Sequence, residues 1–368
     1  MSDFNWKGKR VLITGHTGFK GSWLSLWLQA LGAETYGYAL APSTEPSLFE
    51  LANVGSGMES ILADIGSLDR MQAVFDRVRP EVVLHLAAQA IVQVGYQEPV
   101  ETFSTNVMGT VHVLECVRRT ASVRSVVVAT SDKCYRNEEW HWSYRENSEL
   151  GGRDPYAASK SCAELIVHSY RASYFNPEES GKPTALVASV RAGNVIGGGD
   201  WAPYRLIPDI VATLREDRPL VLRHPTAIRP WQHVLEPLRG YLQVAENLYN
   251  GDLPSAGPWN FGPVDEDCLP VAWLAQELSR KWGREAQWQS DRIPHPHEDT
   301  FLKLDCSKAR ALLGWAPVLR LDDGLQWIAD WYQALDRGEN MRAVTIAQIE
   351  SYRALAAERS ERALNAAV

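Results

Sequence analysis

Cysteine, basic runs and long apolar runs are the scarce features of this chain of 368 residues. The five cysteines (Cys116, Cys134, Cys162, Cys268 and Cys306) are odd in number and show no CxxC spacing, so neither a disulfide framework nor a zinc knuckle is expected. Isolated thiols of this kind read as small buried hydrophobes. No apolar run reaches the ~18 residues of a membrane span, and no apolar leader opens the chain, so the cytoplasm is the expected location and no membrane partner is expected. Net charge is −8 without any Lys/Arg-rich run, which removes the electrostatic footprint of a nucleic-acid binder. An anionic ligand would therefore need locally placed arginines. His295-Pro296-His297 has no third ligand at hand, and no metal is expected.

What is present is an alternation of short β-branched runs with helical stretches, the pattern of a parallel sheet covered on both faces. The expected fold is α/β: a doubly wound parallel sheet with a smaller mixed α/β domain. Strands are expected over 10–14, 35–40, 60–63, 82–86, 125–130 and 185–191, with helices over 20–31, 68–78, 100–119 and 156–174. After about residue 195 prolines accumulate and helices are expected to outnumber strands. The domain expectation is 1–192 for the sheet and 193–340 mainly for a substrate-binding unit, with segments that can return to the first, and a terminal helix over 341–368.

The first expected strand runs directly into Gly15-His16-Thr17-Gly18-Phe19-Lys20-Gly21, and a helix follows. Glycines there permit a tight turn and close approach of backbone to a pyrophosphate, which would sit on the amides of the helix N-terminus. A dinucleotide cofactor is the reading. The acid that binds ribose hydroxyls in such folds, about 20 residues further on, is missing from Tyr36-Gly37-Tyr38-Ala39-Leu40. No arginine stands there to receive a 2′-phosphate, although Lys20 and His16 could, so NAD is favoured over NADP.

A second group has the residue types of a proton-transfer site. Tyr156 and Lys160 are four apart and share one face of a helix, where the ammonium could hold the phenol near ionisation. Ser131-Asp132-Lys133 precedes them, so Asp132 is a second acid/base group in the same site. Lys133 reads either as a catalytic group or as a lysine salt-bridged to Asp132.

Together the glycine loop, Asp64-Ile65, His85-Leu86-Ala87-Ala88-Gln89, Asn106-Val107-Met108-Gly109-Thr110, Ser131-Asp132-Lys133-Cys134-Tyr135, Tyr156 with Lys160, Asn194 to Trp201, and Arg229-Pro230-Trp231-Gln232-His233 resemble the extended short-chain dehydrogenase/reductases. Within them the chain resembles the nucleotide-sugar 4,6-dehydratases that act on CDP-glucose, from about residue 7 to 331. The resemblance implies a lyase of deoxysugar biosynthesis, such as supplies lipopolysaccharide O-antigens. Oxidation at C4, loss of water across C5 and C6, and hydride return to C6 would follow one another on a bound NAD.

By resemblance Tyr156 takes the 4-hydroxyl proton, Ser131 bonds the 4-oxygen, and Asp132 protonates the leaving hydroxyl. Lys133 stands where related dehydratases have Glu, as base or as electrostatic support. Asp64 and Ile65 would meet the adenine, Leu86, Ala87, Ala88 and Gln89 would border the cofactor, and Asn106 would stiffen the sheet beside it. Asn194 and Arg229 match positions that meet the diphosphate, and Arg205 and Arg292 are further candidates. Trp142, with Trp140, would wall the sugar pocket. A four-helix interface built on 100–119 and 156–174 would make a homodimer or homotetramer. A 4-epimerase or reductase of the same superfamily would keep the Tyr-Lys pair but not need Asp132-Lys133, and a non-catalytic cofactor sensor would need neither.

Overall fold

A computed structural model describes residues 4–176, 184–285, 287–291, 293 and 298–366. Its strands in chain order are β1 (Arg10–Thr14), β2 (Glu34–Ala39), β3 (Glu59–Leu62), β4 (Val82–His85), β5 (Ser125–Ala129), β6 (Leu186–Ala192), β7 (Asn194–Ile196), β8 (Leu220–Leu222), β9 (Ile228–His233), β10 (Pro258–Phe261), β11 (Cys268–Pro270) and β12 (Trp288–Ser290). Seven form one parallel sheet in the order β10-β6-β5-β4-β1-β2-β3.

Side-chain alternation explains the two layers of helices. Along β1, Val11 and Ile13 join the core on one face and Leu12 the core on the other; β4 divides in the same way, with Val82 and Leu84 opposite Val83. A strand buried on both faces must be apolar throughout, hence the short uninterrupted Val/Ile/Leu runs. The Phe19–Ala30 helix covers the first face with Trp23, Leu24, Leu26 and Leu28. The Leu68–Val78 and Gly109–Arg119 helices cover the second, through Met71, Phe75, Val113 and Leu114 among others. Each such aliphatic side chain, removed from water, stabilises the fold by about 1.5–3 kcal/mol.

The expected strands of the first half lie within one residue of those observed. The expected helix over 100–119 is present as a continuous run, Pro99–Phe103, a wide helical turn at Ser104–Met108 and Gly109–Arg119. Asn106 sits in that wide turn, of the kind often found at functional sites. After residue 195 helices outnumber strands among the described residues, as expected, but the positions of the individual strands are not legible in the sequence. A three-stranded sheet β11-β9-β7 and a β12-β8 pair form there, and β10 joins the large sheet beside β6, burying Trp259 and Phe261. These strands are three to six residues long, too short for a periodicity to register. The closing Met341–Ala366 helix is present and seats Ile349 and Tyr352 in the core, Tyr352 against Trp27 at 5.8 Å.

Strand order turns around β1, with β2 and β3 on one side and β4, β5 and β6 on the other. A crevice opens at the carboxyl ends of strands at such a switch point.

Candidate active site

One end of the crevice is the glycine turn after β1. Gly15 has φ +78°, and a Cβ there would stand 2.7 Å from the amide nitrogen of Ala87 in the loop after β4. A Cβ on Gly21 would collide with the Gly15 carbonyl. The Phe19–Ala30 helix then starts at Gly18 with no side-chain cap and no acid in its first turn, which leaves its amides and dipole to an anion. Thr17 Oγ1 ties the turn to the end of β2 through the Leu40 carbonyl at 2.9 Å. Asp64 is exposed at the end of β3, turning onto the Gly66 amide at 2.7 Å, and Ile65 is buried beside it. Asn106 donates to the Gln89 carbonyl and accepts from the Gln89 amide, each at 2.9 Å, and donates to Ser159 Oγ at 2.8 Å. The loop carrying Leu86, Ala87 and Ala88 is thereby clamped to the helix that carries Tyr156. A cradle that side chains would fill, facing an uncapped helix end, fits a dinucleotide diphosphate.

His16 is not available as a phosphate receiver. Its ring is fully buried over Gly37 and bonded to Ser60 Oγ at 2.7 Å, and burial lowers its pKa to about 4, so the imidazole is neutral. Lys20 does not reach the ribose end either. It lines the cleft at the opposite end, where burial and Arg205 lower its pKa to about 8 against the pull of Asp132 and Asp200.

β5 ends under the second group. Ser131 Oγ accepts from the Lys133 amide at 3.2 Å, closing a single helical turn over Asp132–Cys134, and donates to Asp132 Oδ1 at 3.0 Å. Asp132 is 4% exposed and its Oδ2 has no hydrogen-bond partner. Burial raises its pKa against the opposing charge of Lys133. A desolvated carboxyl with one free oxygen in a cleft is suited to hold and donate a proton.

The Pro155–Ser173 helix is set by Asp154, whose carboxylate accepts from the Ala157 amide at 2.9 Å, and by Pro155 in its first turn. Tyr156 and Lys160 come from its first two turns, both buried, and Tyr156 lines the cleft with Ser131, Asp132 and Lys133. The expected lowering of the phenol is not found in the chain alone. Burial pushes Tyr156 up to about 12, although Ser131 and Arg205 draw it down. Lys160 Nζ lies 3.4 Å from the Ala129 carbonyl, and burial and then Lys20 bring it down to about 7. For both groups desolvation is the largest influence on the proton.

Beneath this loop lies a buried polar network. Arg191 grips Glu164 with Nε at 2.9 Å and a second nitrogen at 2.7 Å, and also bonds the Tyr135 hydroxyl at 2.8 Å. Glu164 also takes hydrogen bonds from Thr130 and Ser189, while Tyr135 donates to Asn260 at 2.7 Å. β5, β6, β10 and the Tyr156 helix are locked together one layer below the cleft.

The opposite wall, which with these groups encloses about 270 Å³, brings in Asn194, Arg205 and Arg229. Arg205 pairs with Asp200 at 3.0 Å while still lining the cleft. Arg229 is 6% exposed and 4.0 Å from Glu298, which also meets Arg223 at 3.2 Å and Gln93 at 3.3 Å. The ion pair of Lys133 is with Asp299 at 3.5 Å. Gln93, Arg223, Glu298 and Asp299 were not among the candidates, for their motif-free segments meet the site only in three dimensions.

Trp142 does not wall the cleft. It is 70% exposed beside Trp140, over a separate hollow with Pro263 and Arg310. The stacking of Trp140 on Tyr144 and a left-handed Glu139, φ 49°, carry this loop away. Arg292, His295 and His297 lie outside the described residues. Among the described residues no three His, Cys, Asp or Glu side chains gather as a metal site, and no helix is long and apolar enough to cross a membrane.

Comparison with known proteins agrees with this arrangement. The chain is 50% identical to the CDP-glucose 4,6-dehydratase of Salmonella typhimurium, over 96% of this chain and 98% of that one. Among solved structures, the UDP-glucose 4-epimerase of Thermotoga maritima with UDP-glucose matches at a TM-score of 0.76 and 21% identity, over 88% of this chain and 99% of that one. The dTDP-glucose 4,6-dehydratase of Streptomyces venezuelae, solved with NAD bound, matches at 0.75 and 24%, over 90% and 99%. At such identities the structural likeness speaks for the fold. Residues 12–328 match the family model described as GDP-mannose 4,6 dehydratase, and the chain belongs to that family.

Proposed function

We propose that this chain is a hydro-lyase that converts CDP-glucose to CDP-4-dehydro-6-deoxyglucose on a bound NAD. The observation that carries the reading is the company Tyr156 keeps. A buried, raised carboxyl with an unpartnered oxygen and a lysine stand with it in one cleft, in a chain half identical to a CDP-glucose 4,6-dehydratase along nearly its whole length. An epimerase has no hydroxyl to expel and no use for that second acid.

The glycine turn of Gly15, Gly18 and Gly21 and the first-turn amides would hold the cofactor diphosphate, with Leu86, Ala87, Ala88 and Gln89 along its side. NAD, when bound, supplies the acceptor for the C4 hydride and the donor that returns it to C6. NAD rather than NADP is supported by the neutral, buried His16 and by the lack of arginine at the end of β2. Ser131 orients the 4-oxygen and Tyr156 receives its proton. A positive charge nearby favours the phenolate, so the phenol's high value in the chain alone falls as the site is filled. The new ketone acidifies C5, whose proton Lys133 would take as base, and Asp132 gives its proton to the departing C6 hydroxyl, which leaves as water. Asn194 and Arg229 would take the diphosphate, with Arg205 competing between it and Asp200.

Exposed Val100, Phe103, Met108, Leu165 and Tyr174, on the helices around 99–119 and 155–173, support self-association as a dimer or tetramer. The five unpaired cysteines support a reducing, cytoplasmic setting.

Incubating the protein with CDP-glucose, and in parallel with dTDP-, UDP- and GDP-sugars, tests the reading. Product from CDP-glucose carrying a 4-keto-6-deoxy sugar, with no net reduced nicotinamide, is expected. Net reduction, or a 4-epimer that has kept its water, would rule the dehydratase out.

A further inference from the structure

Part of the cleft lining is neither charged nor buried. Tyr204 is 47% exposed and Val221 43%, and both line the cleft together with Leu206, Leu222 and Arg223. The neighbours of Val221 in β8, Leu220 and Leu222, are buried, so Val221 is the one residue of that strand that meets water.

Tyr204 is held there against its own backbone preference. Its φ of 62° lies in the left-handed region, where a residue with a Cβ is strained and glycine is not. Strain of this kind persists only where the surroundings compensate it. Arg223 supplies the compensation. Its Nη2 donates to the Tyr204 carbonyl at 2.8 Å, its guanidinium lies 6.0 Å from the centre of the Tyr204 ring, and its Nη1 meets Glu298 at 3.2 Å.

The position of Tyr204 in the chain relates the ring to the rest of the cleft. Arg205, the next residue, pairs with Asp200 and lines the cleft with Asn194 and Arg229. A sugar set over Ser131 and Tyr156, with its diphosphate on these residues, leaves the nucleoside to the exposed side where Tyr204 and Val221 lie. The cofactor occupies the other wall, along the glycine turn.

We propose that Tyr204 is the platform on which the base of the sugar nucleotide stacks, with Val221 as an apolar edge of the same subsite. The inference deepens the reading of this cleft as a CDP-glucose site and rests on it. A pyrimidine has a flat π face that a phenol ring can cover, and stacking of this kind contributes affinity whichever base is offered. Tyr204 therefore serves nucleotides as a class, and the choice of cytosine falls to other groups. Glycine would hold the same turn without strain but offer no ring.

Titration calorimetry on the full chain saturated with NAD tests this, with CDP and inorganic pyrophosphate as probes and the parent, Tyr204→Gly and Tyr204→Phe compared. Turnover of CDP-glucose and melting are measured alongside. Tyr204→Gly suits the left-handed backbone, so its melting temperature should stay near the parent's. It should bind CDP about 10-fold or more weaker and pyrophosphate within about two-fold of the parent. Its KM for CDP-glucose should rise to match, with kcat within about two-fold. Tyr204→Phe, which keeps the ring, should bind CDP as the parent does. CDP binding by Tyr204→Gly that matches the parent overturns the inference. So does an equal loss for CDP and pyrophosphate, which would make Tyr204 a support of the diphosphate residues. A parent chain that binds CDP but makes no product from CDP-glucose refutes the dehydration reading instead, and the CDP comparison still decides the platform.

Discussion

The two walls of the cleft are built by different means. On the sheet wall, Ser131, Asp132, Tyr156 and Lys160 are all under one-tenth exposed and stand on a strand end and a helix start, over the Arg191-Glu164-Tyr135 network. On the facing wall, Arg223 and Glu298 form an ion pair in which the side chains keep 24% and 19% of their exposure. A buried network is costly to break and holds geometry; an ion pair that keeps some contact with water is worth less and exchanges partners more cheaply. The proposed acid/base groups thus stand on the wall with the buried network, and the proposed diphosphate-binding arginines on the wall with partly solvated ion pairs.

The comparison is broken most severely by Glu164→Ala. It leaves the Arg191 guanidinium buried and unpaired, and a loss of about 3–5 kcal/mol in denaturant unfolding is expected. A loss below about 1 kcal/mol would mean that the network is not what fixes the sheet wall.

A smaller effect should come from pH. The folded value of Lys160, about 7, lies below the ordinary 10.5, so between these limits the unfolded chain binds more protons and stability rises with pH. Relative to the parent, Lys160→Met should be more stable near neutrality by about 1–3 kcal/mol, with the advantage shrinking towards pH ~10. Melting curves of both proteins at several pH values measure this, and a constant difference would contradict it.

The smallest effect belongs to the facing wall. Glu298→Gln should change unfolding free energy by no more than about 1 kcal/mol, because its pairs with Arg223 and Arg229 are partly solvated. It should also lower KM for CDP-glucose by about 2–5-fold, since the arginines lose a competing carboxylate. A rise in KM would show that Glu298 itself contacts the substrate.

Much of the sheet wall could be read from the residues. A Val/Ile/Leu run needs two covered faces, a glycine turn between strand and helix needs close approach, and a Tyr four residues before a Lys shares its helical face; each is a rule of local geometry. Where a residue's environment depended on the whole fold, reading from the residues went astray. His16 looked like a phosphate receiver until burial over Gly37 made it a neutral packing group. Trp142 lies between the two catalytic motifs in the chain, yet its loop is carried outward. Tyr156 has its lysine on the expected face, but burial governs its proton.

By itself, the sequence determined the elements of the first half, the dinucleotide turn and the residue types of the acid/base site, because these follow from periodicities of a few residues. Tertiary structure alone decided that β10 completes the sheet, that Asp132 keeps an oxygen without a partner, and that Asp299, 166 positions beyond Lys133 (299 − 133), meets it at 3.5 Å. Burial and pairing across such separations depend on how the whole chain closes on itself, and no local pattern records them.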